Sequence, residues 1–409
     1  MQTAYSLTVN KYLLFAVLCF FFNSLGLPEG LLYTTLLAPF LYVWAARHGQ
    51  RNMLRNFLLL LAPFAIIHFA GGVDGNSYLI STILLFSVFI YVRAAHTFFK
   101  WYDRLEYIFF RILILNFVLT LIALILIFTP VSEWMWFRTN LTGNFREFPR
   151  LSLFTYEASY YSTLLVPLVG FFGLKLVLGK TQNPRWLILL MAGLPLILSF
   201  SLGILSCLII ATAILLLMNR RQLLLKRSVA NLITAVAILM IISFLFLLVF
   251  LPENVLFQRL INILEGKDLS AKGRLTEAYF FATRFATEKN IWFGIGIGQI
   301  KIFGEEVIRN YYNYHIGDIP VVRIPNAFAE TIATFGILGA AGRLILEIYL
   351  FIKTRVFNNY FRTLLFFTIF VYQFTGSFLT NVAEYTIWAL AFCSCFPQFD
   401  RPAKEMEAL

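Results

Sequence analysis

The run YIFFRILILNFVLTLIALILIFT, from Tyr107 to Thr129, carries one charged residue, Arg111, and no turn-forming break. At 1.5 Å of rise per residue, a helix of this length reaches across the roughly 30 Å of a bilayer's hydrocarbon core. A membrane strand would alternate apolar and polar residues, and this run does not. It is apolar on every face, so as a helix it needs lipid or protein all round it.

Working outward, similar blocks fall near 12–27, 31–46, 57–72, 78–99, 159–179, 185–200, 203–218, 228–251, 327–352, 362–379 and 382–396. With 107–129 that makes about twelve transmembrane helices in a single integral membrane domain, residues 1–409. Apolar residues are 60% of the chain and charged ones 13%, a balance foreign to a water-soluble surface. No Pro-rich linker or low-complexity tract sets off a second domain. The block at 12–27 has no clean cleavage site behind it and reads as a retained helix.

The formal charge of +12 does not point to nucleic acid, because the basic residues sit in clusters between apolar blocks. Arg47, Arg51 and Arg55 follow the second block, Arg93, Lys100 and Arg104 the fourth, Lys180 and Arg185 the sixth, and Arg220, Arg221, Lys226 and Arg227 the eighth. Lys353, Arg355 and Arg362 follow the tenth, and Arg401 and Lys404 close the chain. Lys and Arg stay cytoplasmic, so this alternation sets both termini on the cytoplasmic side of the membrane. Cys19, Cys207, Cys393 and Cys395 lie in apolar blocks without metal-ligand spacing and read as core residues.

Two loops on the far side are long: 130–158 and 252–326. Long segments translocate whatever their charge, and loops of this length are usually functional. In the second, Gly273 to Asn290 has the spacing of a helix with Leu275, Ala278, Tyr279, Ala282 and Phe285 on one face. It suits a position along a membrane surface. After it, Gly294, Gly296 and Gly298 alternate with apolar residues and demand a turn; they are not the dinucleotide fingerprint.

No nucleophile elbow, HExxH, P-loop or CxxC is present, so hydrolase, zinc, nucleotide and redox chemistry have no foothold, and no metal site or cofactor is expected. What remains is arginine near helix ends: Arg150, Arg274, Arg284 and Arg323. The guanidinium fork suits phosphate, although each of these also reads as snorkelling or as pairing with Glu147, Glu277 or Glu288. Glu157, at the lip of the sixth block and followed by Tyr160, is placed to transfer a proton or to pair with Arg150. His315 stands in an aromatic patch and reads as a base or as a surface residue. Asn326 caps the tenth block. Glu330 inside that block is an intramembrane acid, a functional position by default, with Arg343 or Arg323 as partner; Glu384 raises the same question.

Three blocks in order resemble the O-antigen polymerase and O-antigen ligase superfamily of bacterial membrane glycosyltransferases. Arg150 followed by Phe154-Thr155-Tyr156-Glu157-Ala158-Ser159-Tyr160-Tyr161 resembles the polymerases' entry to a span. Gly273-Arg274 through Asn290 to Gly296 resembles their arginine helix and glycine turn. Pro325-Asn326 through Glu330 and Phe335-Gly336-Ile337-Leu338-Gly339 resembles the asparagine-led span after the large loop. Ala158 stands where the family has proline. The histidine that ligases place before their asparagine is missing, with Ile324 and Pro325 there instead, which favours the polymerase branch.

The resemblance implies a membrane-embedded GT-C-like fold and a metal-independent polymerase joining undecaprenyl-pyrophosphate-linked repeat units on the periplasmic face, alongside a chain-length regulator. It makes Arg274, Arg150, Glu157 and His315 the catalytic set, with Arg323, Arg284, Asn326, Tyr160 and Glu330 binding substrate. A ligase acting on lipid A core or protein is the rival within the superfamily. A polysaccharide transporter or flippase is the rival outside it, although no second copy of the long-loop pattern marks paired halves.

Overall fold

The computed structural model describes residues 23, 24, 27, 31–139, 148–180, 184–220, 261–313 and 322–402. The spans expected at 12–27 (apart from those three residues) and 228–251, and with them His315, lie outside the described residues.

What is described is mostly helical. In chain order the α-helices are α1 Tyr33–Leu36, α2 Ala38–Arg47, α3 Met53–Ala70, α4 Gly75–Trp101, α5 Leu105–Leu126, α6 Ala158–Val177, α7 Arg185–Ser199, α8 Leu202–Met218, α9 Leu269–Lys289, α10 Ile300–Phe303, α11 Glu305–Tyr312, α12 Ala327–Lys353, α13 Tyr360–Tyr372 and α14 Val382–Ala391. By length and composition five of them, α3, α4, α5, α6 and, counted through the break at Gly336, α12, suffice to cross a membrane, and α7, α8 and α13 are shorter apolar helices. Phe40, Leu59, Leu60, Ile66, Ile125, Phe128 and Leu217 point outward with most of their surface uncovered. Water does not tolerate such a continuous apolar exterior and lipid does. The chain is a multi-pass, helical membrane protein.

The first long loop is not structureless. Pro130–Trp134 forms a 3-10 turn, and β1 Trp136–Thr139 pairs antiparallel with β2 Phe148–Leu151, so that Phe137 faces Arg150. Trp136 anchors this hairpin by donating its indole N–H to the Ala123 carbonyl at 2.8 Å. The expected span at 31–46 is divided between α1 and α2, and those at 362–379 and 382–396 end early, at Tyr372 and Ala391.

Helix α6 is the hub. Its residues from Ala158 to Phe172 are buried almost without exception, because α7, α8, α13 and α14 all pack on it. Buried polar contacts tie such helices together where lipid offers no hydrophobic drive; here the Tyr161 hydroxyl donates to Asn116 of α5 at 2.5 Å.

The block expected at 327–352 as one span proves to be two arms. Gly336 has φ 67° and ψ −166°, far from helical. Arg343 nevertheless reaches back to the Ala327 carbonyl at 3.4 Å and the Thr331 hydroxyl at 3.1 Å. In a straight helix residues 327 and 343 would stand about 24 Å apart along the axis, so the chain must fold back on itself. Gln373 gives the same answer: its carbonyl accepts from Phe328 N and its side chain donates to Glu347.

The glycine turn caps the fold-back. Ile295 N and Gly296 N donate to the carbonyls of Ala333 and Thr334, while Ile337 N and Leu338 N donate to those of Ile291 and Trp292. Four of the backbone groups freed by the break thus find partners, as an apolar surrounding favours. Gly294, Gly296 and Gly298 all have positive φ. A side chain on Gly336 would strike the Trp292 carbonyl, so the two glycine segments need each other.

Candidate functional site

Helix α6 starts where β2 and the turn through Leu153 deliver the chain into the bundle. Glu157 occupies its N-cap position in extended conformation, but its side chain caps nothing in its own helix. It points instead to α9, where Arg274 Nη2 lies 3.5 Å from its Oε1. Asp268 caps α9 by accepting from Ala271 N at 2.7 Å. The helix buries Ala278, Phe281, Ala282, Phe285 and Ala286 against the first arm of α12, leaving Leu275 exposed where the sequence put it on the apolar face.

Arg274 and Glu157 line a narrow cleft with Ser159 and Tyr160 of α6, Tyr156, Pro325, Tyr372 at the end of α13, and Ser377, Phe378 and Asn381 from the turn between α13 and α14. The side chains of Arg274 and Glu157 are 29% and 22% exposed, so the pair is open to a ligand but partly shielded from water. That shielding strengthens every charge interaction formed there. The Tyr156 and Tyr160 rings lie 4.8 Å apart. Tyr160 is buried and accepts from Asn23 at 2.5 Å.

Tyr156 keeps 40% of its surface open to solvent. The ordinary range of a phenol lies well above neutral pH, so Tyr156 is a neutral hydroxyl. The cleft thus offers one guanidinium, one carboxylate and several hydroxyl and aromatic groups, a set able to hold an anion beside a sugar.

Of the residues singled out from sequence, Arg274, Glu157 and Tyr160 meet in this cleft. Arg323 sits at its rim, its guanidinium 5.5 Å from the ring of Phe378, and exposed. Arg150 does not line the cleft: it is buried on β2 and donates to the Ser199 carbonyl at 3.2 Å, so Glu157 has Arg274 for its partner. Arg284 also stays apart, on the exposed face of α9, in an ion pair with Glu288 one turn on.

Asn326 and Glu330 act on backbone. Asn326, fully buried, accepts from Ala329 N as a cap and donates to the carbonyls of Arg274 at 2.8 Å and Phe374 at 2.7 Å. Glu330 accepts from Leu379 N at 2.6 Å, whereas Arg343 pairs with Glu347 and Glu384. Tyr372, Ser377, Phe378 and Asn381 are uncharged residues within or between the apolar blocks at 362–379 and 382–396, and no sequence motif marks them as part of a site. Polar Gln373, Ser377 and Asn381 flanked by apolar helices were the available signal. The sequence matches no family model and no curated protein.

Proposed function

We propose that the chain is a polymerase of lipid-linked oligosaccharides, transferring a growing glycan from undecaprenyl pyrophosphate onto an incoming lipid-linked repeat unit on the periplasmic face of a bacterial inner membrane. In this reading the chain has about twelve spans and a GT-C-like fold with both termini cytoplasmic, and a chain-length regulator is a partner. The observation that carries the reading is the Arg274–Glu157 pair in a cleft lined by tyrosines and hydroxyls.

Arg274 would exchange partners when substrate arrives. A diphosphate carries more charge than a carboxylate and fits the guanidinium fork, so it displaces Glu157. The released carboxylate then accepts the proton of the acceptor's sugar hydroxyl as that oxygen bonds to the anomeric carbon. The anomeric C–O bond breaks, its electron pair leaves on the diphosphate, and Arg274 stabilises the developing charge, with Arg323 at the rim. Tyr156, placed outermost, offers a ring face to a sugar and a hydroxyl to donate.

Purified full-length protein given lipid-linked repeats should produce a ladder of lengthening glycans, and Arg274→Ala should abolish it while the protein still elutes as a folded species. An unchanged ladder removes arginine from the chemistry.

The fold-back at Gly336 favours a second reading, transport, because broken helices are a transporter feature. Those breaks occur in pairs and leave backbone groups facing a cavity. Among the described helices Gly336 is the one interior residue with non-helical angles, and its neighbours' groups are bonded to 291–296. Glycan movement across liposomes without new glycosidic bonds would decide for transport.

A further inference from the structure

Beneath the cleft lies a buried charge cluster whose geometry the proposed chemistry leaves unused. Arg343, on the second arm of α12, donates from Nε to Glu347 at 3.0 Å and from Nη2 to Glu384 of α14 at 2.7 Å. Its Nη1 turns to the first arm, reaching Thr331 and the Ala327 carbonyl. Glu347 in turn accepts from Gln373, at the end of α13, at 2.8 Å. The guanidinium therefore uses all three of its nitrogens, and the side chains of Arg343, Glu347 and Glu384 are 12%, 9% and 1% exposed.

Each branch of this cluster ends on a wall of the cleft. Through Ala327 and Thr331 it fixes the first arm, whose cap, Asn326, holds the backbone of Arg274. Through Glu384 it fixes the start of α14, where Asn381 accepts from Ala383 N and Glu384 N and itself lines the cleft. Through Glu347 and Gln373 it fixes the turn that leads to Ser377 and Phe378; the same turn takes Phe328 N on the Gln373 carbonyl. Glu330 adds a parallel tie from the first arm to Leu379.

We infer that Arg343 is a positioning residue that sets the distance between Arg274 and the 377–381 wall, and so the width of the cleft available to a diphosphate. The inference rests on the anion-binding reading of that cleft. A guanidinium alone meets the geometry: three donor directions in one plane serve two carboxylates and a backbone carbonyl at once, and a lysine ammonium has no such fixed fork. The cluster also explains why a costly intramembrane ion group is kept here. Packing alone would be served as well by apolar residues of the same volume.

The test uses full-length protein in lipid nanodiscs, with inorganic pyrophosphate as the probe and spin labels at Lys272 of α9 and Thr380 of the facing wall. In the parent protein the label distance should form one narrow distribution and pyrophosphate should bind. Arg343→Lys should broaden the distribution and weaken binding about 10-fold, the scale on which outer-shell partners act.

Arg343→Lys that folds with the parent's distance distribution and affinity overturns the inference. Should that variant not fold, Glu384→Gln, which keeps the shape but weakens one branch, must broaden the distribution in the same way; an unchanged distribution there overturns it too. Failure of the parent protein to bind pyrophosphate counts instead against the anion-binding reading, while the label distances still report on Arg343.

Discussion

At the scale of single residues, charge and conformation separate cleanly between function and stability. The Arg274–Glu157 pair is partly exposed, and such pairs contribute about 0–1 kcal/mol to folding. Glu157→Gln should therefore leave thermal unfolding almost unmoved. It should lower the rate of glycan extension about 100-fold or more, as loss of a general base does. Loss of stability without loss of rate would make Glu157 structural. Gly336 is the opposite case. Gly336→Ala adds a methyl against the Trp292 carbonyl at φ 67°. The strain alone costs about 1–3 kcal/mol. A lowered unfolding temperature in detergent, or failure to recover folded protein, is the expected result.

At the scale of elements, one amide adds polar ties to the apolar packing that joins α9 to the first arm of α12. Asn326 is acceptor for its own helix and donor to two carbonyls from two other segments, so an aspartate can replace only part of it. Asn326→Asp should keep the cap yet destabilise the protein by about 2 kcal/mol, since two buried carbonyls lose their donor and meet a carboxylate. Denaturant unfolding of both proteins measures this. Asp74→Ala, which removes the side-chain cap that accepts from Ser77 N at the start of α4, should cost about 1 kcal/mol. Equal losses in the two variants would mean that the Asn326 bridges to Arg274 and Phe374 contribute nothing. The cap itself was legible in the sequence, but the two long-range donations were not, because a capping motif is local and carries no record of what its second nitrogen meets.

At the scale of the molecule, the alternation of the basic clusters predicts which side of the membrane each helix end faces. Asn52, the residue before α3, and Asn76, in the first turn of α4, flank α3 and are both exposed, so they should face opposite sides of the membrane. In a cysteine-free background, Asn76→Cys should react with an impermeant maleimide in intact cells and Asn52→Cys only after permeabilisation. Labelling of both from one side would sink the topology. The tip of the α12 fold-back lies on the Asn76 side of this scheme, where it touches α3 near His68, whose ring bonds the Phe293 carbonyl at 2.7 Å.

The sequence by itself determined that the chain is helical and lives in a membrane, because hydrophobic block length answers directly to bilayer thickness. It also singled out Arg274 and Glu157, charged residues near helix ends, along with Arg150 and Arg284, which stand outside the cleft. Only the tertiary structure decided that Glu157 meets Arg274 rather than Arg150, and that Ser377, Phe378 and Asn381 form the facing wall. It alone turned the tenth block back at Gly336. Partner choice and chain reversal depend on which distant backbone groups are left to bond, and the glycine segment that satisfies Ala333, Thr334, Ile337 and Leu338 lies some forty residues away in the chain.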